Sequence, residues 1–247
     1  MYTRSGGAKE PAVLFDETGQ QTTRPIVVGA VITADVDRLE TTVRELFDYW
    51  AAEERFDGME SYKHFLARGF HNNQIPLELQ NAFIQTLREI DGLRIFAAVS
   101  DRTRLTLTDD DRCLVLYGSL LPDVIAYLRL GEPTFYFEEN PTLQKHFGRL
   151  TQDAYDRAAR RAPGRSLPKP EVRVTRKDEL LALGVVDFVI SIIANWVALE
   201  DRQDVSKREV RNYRAIERDI AVIYHFDTRE RISRRHRAFP SSAVRSS

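Results

Sequence analysis

Short apolar runs and longer apolar stripes take turns along this chain. Ala12 to Asp16 is a continuous apolar run ending in acid, and Pro25 to Thr33 is a second run rich in β-branched residues. The polar stretch between them, Thr18 to Arg24, reads as the turn of a hairpin, with strands near 12–17 and 25–33. Asp35 then stands as an N-cap before Val36, Leu39, Val43, Leu46 and Trp50, which recur at helical spacing. Residues 56–75 hold no clear period. Pro76 opens a helix with Leu79, Phe83, Leu87 and Ile90 on one face, ending near Gly92. Residues 93–101 read as a buried strand. Thr108 caps a helix whose first turn carries Asp109, Asp110 and Asp111, and Pro122 is expected to kink or restart it.

The second half repeats the alternation. Residues 133–140 form a strand ending in paired acids, residues 141–160 a helix, and 171–177 a strand. The stretch Leu180–Leu199 is long enough for a membrane, but Asp187 and Asn195 interrupt it, so it reads as a buried helix with one inward acid. A helix near 206–217 and an alternating segment, Ile220 to Phe226, follow. Strands interleaved with helices predict an α/β fold in one domain, 12–226, between a flexible N-terminus, 1–11, and a basic tail, 227–247, expected to be disordered.

Composition narrows the picture only slightly. The net charge of −1 exerts no overall attraction for polyanions, but residues 201–247 hold 12 Lys/Arg against 7 Asp/Glu. Arg229, Arg231, Arg234, Arg235, His236 and Arg237 crowd together there, and this tail is expected to add affinity for a polyanion. A single cysteine, Cys113, excludes an internal disulfide and a thiolate metal cluster, and makes a reducing, cytoplasmic setting the expectation. Neither a secretory leader nor a membrane span is expected.

Candidate chemistry lies in the acids. Asp16 and Glu17 end the first strand, Glu138 and Glu139 end a later one, and Asp187 interrupts an apolar helix. Acids at strand ends facing a helix can converge in an open sheet. Two carboxylates about 4 Å apart repel by about 4 kcal/mol at an effective dielectric of 20, so such a cluster must hold a proton or a cation. Oxygen-only ligation favours Mg²⁺ or Mn²⁺, the usual apparatus of phosphoryl transfer. The plainer account is strand-end solvation and a buried, hydrogen-bonded Asp. Strand alternation turns Glu17 away from Asp16 and Glu139 away from Glu138. His71 sits in a polar loop, where it could orient water or contact phosphate. The phosphate-loop, dinucleotide-binding, zinc-protease and serine-hydrolase signatures are all missing from the sequence.

Two resemblances rest on these residues. Asp16-Glu17-Thr18-Gly19 followed by Pro25 to Ile32 resembles the opening of type 2 ribonucleases H. Residues 12–226 resemble the domain of unknown function 3800 family, through Asp16-Glu17-Thr18-Gly19, Phe70-His71-Asn72-Asn73-Gln74-Ile75 and Gly184-Val185-Val186-Asp187. That resemblance implies a ribonuclease H-like fold, with a central mixed sheet of about five strands flanked by helices. It also implies a divalent-metal nuclease or phosphodiesterase acting on DNA or RNA, in defence or mobile-element biology. Asp16, Glu138 and Asp187 are then the expected metal ligands, with Glu17 and His71 as further catalytic candidates. The sequence departs from the family pattern where Gly184 replaces a Gln, which removes an amide from the face of Asp187. That departure keeps a second expectation in play: a catalytically weakened binding or assembly protein, with a protein partner or a second copy of itself.

Overall fold

The computed structural model describes residues 10–18, 25–101, 107–129, 131–200 and 202–233. Its strands are β1 (Ala12–Thr18), β2 (Ile26–Thr33), β3 (Arg94–Ser100), β4 (Thr134–Glu138), β5 (Glu171–Thr175), β6 (Ile220–His225) and β7 (Glu230–Ser233). They form one mixed sheet in the order β5-β4-β1-β2-β3-β6-β7. The sheet therefore has seven strands rather than about five. β1 and β2 are antiparallel neighbours, as the hairpin pattern predicts, and β4 lies parallel to β1 on its other side.

Helices cover both faces. Strand alternation splits the interior into two cores. Leu14, Val27 and Val31 point to one face and pack with α1 (Val36–Ala51), α2 (Glu60–Arg68), α3 (Leu77–Glu89), α6 (Leu183–Val197) and α7 (Arg208–Ile216). Val13, Phe15, Phe135 and Phe137 point to the other and pack with α4 (Asp109–Tyr127) and α5 (Gln144–Arg161). Both predicted N-caps are present: Asp35 accepts the Arg38 N–H at 3.0 Å, and Thr108 accepts the Asp111 N–H at 3.1 Å.

α6 is the apolar helix at the centre of the first core, and its position depends on Gly29. A Cβ on Gly29 would stand 2.1 Å from Cγ2 of Ile190. Hydrogen at that position lets the helix approach the sheet beside the end of β1. Thirteen of its fifteen residues are buried against protein, and no described helix is long and apolar enough to cross a membrane.

Two expectations change. α4 runs through Pro122 as one helix from Asp109 to Tyr127, with Pro122 itself buried, so the proline does not restart the helix. Glu230–Ser233 pair antiparallel with β6, so residues expected to open the basic tail instead belong to the sheet. Within that stretch, Arg231 donates to Asp123 at 3.0 Å. Arg234, Arg235, His236 and Arg237 lie outside the described residues.

Candidate active site at the ends of β1 and β4

The parallel register of β1 and β4 aligns Phe15 with Phe137, so the next residues along, Asp16 in β1 and Glu138 at the end of β4, stand side by side. Both share the face of Leu14 and Tyr136, toward α6. From α6, Asp187 reaches the same point, one turn beyond an N-terminus tied down by Glu40, which accepts the Ala182 N–H at 2.8 Å. Their meeting place is an ammonium. Lys177 Nζ lies 2.9 Å from Glu138 Oε2, 3.5 Å from Asp16 Oδ2 and 3.9 Å from Asp187 Oδ2. His71 Nδ1 is 3.3 Å from the same nitrogen. Lys177 and Asp16 are buried, at 4% and 5% exposure.

Four of the five sequence-predicted site residues thus gather around one nitrogen. Glu17 goes elsewhere. It shares the face of Phe15, where its carboxylate accepts hydrogen bonds from Tyr117 Oη at 2.6 Å and Asn140 Nδ2 at 2.7 Å. It still borders the cleft of about 400 Å³ that the cluster opens into. Glu139 is exposed, and its backbone N–H bonds the Thr175 carbonyl.

The surroundings push these groups in different directions. Burial, then the charge of Glu138, raises the Asp16 carboxyl well above its usual range, despite Lys177. Burial pushes Glu138 up too, but Lys177 and a hydrogen bond with Asp16 outweigh it and leave Glu138 below the usual range. The two neighbouring carboxyls are thus pushed in opposite directions, Asp16 up and Glu138 down. Burial, offset in part by Tyr117 and Asn140, raises Glu17. Burial alone would lower Lys177, but Asp187, Asp16 and Glu138 together raise it, so it stays an ammonium. Burial and then Lys177 lower His71. An ammonium has only donors, so Nδ1 of His71 must accept, and the neutral ring carries its proton on Nε2.

Asn72 and Gly184 complete the framework. The Asn72 N–H donates to Asp187 Oδ2 at 2.8 Å, which orients that carboxylate. Gly184 gives the preceding segment its place. A Cβ there would stand 3.0 Å from the Phe70 Cβ and 3.2 Å from the Phe70 carbonyl oxygen. Expected only as a lost amide, Gly184 is in this chain a close-packing position beside the segment that carries His71.

Pattern alone places Lys177 at the end of the 171–177 strand and gives it no partner, so it is not among the sequence-predicted site residues. A signal existed. Thr175 pairs with Glu138 across β4 and β5, and alternation carries Lys177 to the same face two residues on. Using it requires the strand register, which only the structure supplies.

Among the described residues, no three His, Cys, Asp or Glu side chains already stand in a metal-binding arrangement. The donor chemistry nevertheless suits a hard divalent cation. Three carboxylates face one ammonium, so full ionisation would leave an excess of two negative charges. Comparison with models of known protein families and with curated proteins finds no match for this chain.

Proposed function

We propose that this protein is a divalent-cation-dependent hydrolase of nucleic-acid phosphodiester bonds on a ribonuclease H-like fold, related to the domain of unknown function 3800 family. One observation carries the reading. Carboxylates from β1, β4 and α6, far apart in sequence, converge at the mouth of a polar cleft with more negative charge than the local ammonium neutralises.

Asp16, Glu138 and Asp187 would hold Mg²⁺ or Mn²⁺. Bound there, the cation would activate water and offset charge developing on the phosphate. The chain's own residues supply the remainder. Lys177 is held inside the cluster as a cation that contacts either the carboxylates or an incoming phosphate oxygen. His71 keeps its proton on Nε2, ready to donate to a phosphate or leaving oxygen. Arg68 borders the same cleft and adds a further positive charge for the strand. The Asn72 N–H keeps Asp187 turned toward the site.

A second reading is favoured by the ammonium itself. Lys177 occupies the point where a cation would satisfy all three acids, as expected of a fold retained for binding or assembly after turnover is lost. Calorimetric titration with Mn²⁺, together with cleavage assays on single- and double-stranded DNA and RNA, separates the two. The hydrolase reading expects Mn²⁺ binding and cleavage that EDTA stops and Asp16→Asn abolishes, with the variant still folded by circular dichroism. Nucleic-acid binding without Mn²⁺ uptake or cleavage would overturn it in favour of the binding protein.

A further inference from the structure

Beside the acid cluster lies a smaller cavity of about 180 Å³ with a different lining. Its walls carry Asn72 and Asn73 from the turn before α3, Gln80 from α3, Asn195 from α6, and Arg208 and Asn212 from α7. Asn73 borders both this cavity and the acid cleft, so the two adjoin. Asn72 joins them as well, since its backbone N–H holds Asp187 while its residue lines the cavity.

The hydrogen-bonding capacity of these side chains is unevenly used. Gln80 donates to the Ile75 carbonyl at 3.0 Å and accepts from Arg208 at 3.0 Å. Asn195 and Asn212 are only half-buried, and among the described residues their amides take part in no hydrogen bond. Each amide presents a carbonyl acceptor next to a two-proton donor. Arg208 and Glu209 bring opposite charges to the rim, so the cavity has no net pull on phosphate. Among the described residues Ile192 is the one aliphatic side chain in the wall, so an apolar ligand finds little to pack against.

A small neutral group with adjacent donors and acceptors fits such a lining. We infer that the amide-lined cavity between α3, α6 and α7 receives the hydrogen-bonding edge of a nucleobase, one that belongs to the strand whose phosphate lies at Asp16, Glu138 and Asp187. The inference rests on the nucleic-acid reading above and adds base selection to it. Asn and Gln amides read base edges in pairs of hydrogen bonds, and one such pair discriminates between bases roughly five- to hundredfold. Single strands offer these edges free of pairing.

Binding in EDTA isolates this step from cleavage. Fluorescence anisotropy would compare four labelled homopolymeric single strands and an abasic strand, using the full chain and its Asn195→Leu and Asn212→Ala variants. Circular dichroism and melting temperature verify that each variant is folded, and the milder Asn212→Ala keeps the test open if Asn195→Leu does not fold. The expected result is at least about a fivefold preference of the unaltered chain for one base. That preference should shrink to within about twofold in the folded variants, with abasic-strand affinity unchanged. Competition by the free nucleoside of the preferred base would show that the cavity takes the base alone. A preference that persists without such competition would show that it takes the base as part of a strand. No base preference, no strand binding, or a preference that survives both substitutions would overturn the inference. Divalent-dependent cleavage without base preference would remove the cavity's role and leave the hydrolase. Base preference without cleavage would do the opposite.

Discussion

Asp16 and Glu17 are consecutive carboxylates on one strand, yet the two faces of the sheet treat them differently. Asp16 faces α6 and enters an ionic cluster with Lys177, Glu138 and Asp187. Glu17 faces α4 and is held by hydrogen bonds from a phenol and an amide, with Lys177 only a weaker influence on it. Burial raises both carboxyls, but the counterweights differ: an ammonium for one and two neutral hydrogen-bond donors for the other. A charge paired with an ammonium can be exchanged for a substrate or ion. A carboxylate fixed by fitted neutral donors serves the frame. The chemical side of this strand end is therefore the one with unbalanced charge.

The largest effect should come from breaking the ionic side. Lys177→Met leaves buried carboxylates uncompensated, and removing one partner of a buried pair costs about 3–5 kcal/mol. Urea unfolding in EDTA should show that loss, and Mn²⁺ should restore part of it. Equal stability with and without Lys177 would dissolve the contrast between the two faces.

Asp16→Asn sharpens the comparison through pH. The folded-state carboxyl is raised, so the native protein holds a proton that the unfolded chain has released. Stability tied to Asp16 is then lost as pH climbs above the ordinary value of 3.8 toward the raised one. Each pH unit in that window costs about 1.4 kcal/mol, which the Asn variant should not lose. Glu138 has the opposite sign: its contribution is present above 4.5 and falls away as pH drops through its lowered folded value. Chemical denaturation from pH 4 to pH 7 should therefore show the Asn variant gaining on the parent as pH rises. A constant difference across that range would contradict the raised Asp16 carboxyl.

Tyr117→Phe tests the other face. It removes one hydrogen bond to Glu17 and should cost about 1.5–3 kcal/mol, while Mn²⁺ affinity stays at the parent value. A large change in Mn²⁺ affinity would make Glu17 part of the ionic site after all. The smallest effect belongs to Glu139→Gln. That residue is exposed, so stability should move by no more than about 0.5 kcal/mol, with cleavage unchanged.

Local pattern alone made much of this legible. Period-two alternation and helical stripes are properties of consecutive residues, and they located β1 through β5, the two side-chain N-caps and the acids at strand ends. The same alternation sent Glu17 and Glu139 away from their neighbours, as the structure does. Pro122 does not restart α4, because the packing of α4 against the sheet outweighs one missing backbone bond. The strand count failed for a related reason: Glu230–Ser233 read as tail until β6 supplied hydrogen-bonding partners.

What the sequence by itself determined was which residues alternate, which faces are apolar, and that acids stand where apolar elements end. Tertiary structure decided which of those acids meet and what neutralises them. Lys177 lies 161 residues from Asp16, at the end of a segment that reads as a strand, and only the β4–β5 register brings it beside the acids. Asn195 and Asn212 look like ordinary polar positions on two helices until α3, α6 and α7 close a cavity around them. The physical reason is range. Backbone geometry sets a side chain's direction over a few residues, whereas electrostatic and hydrogen-bonding partners are set by elements that meet across the fold.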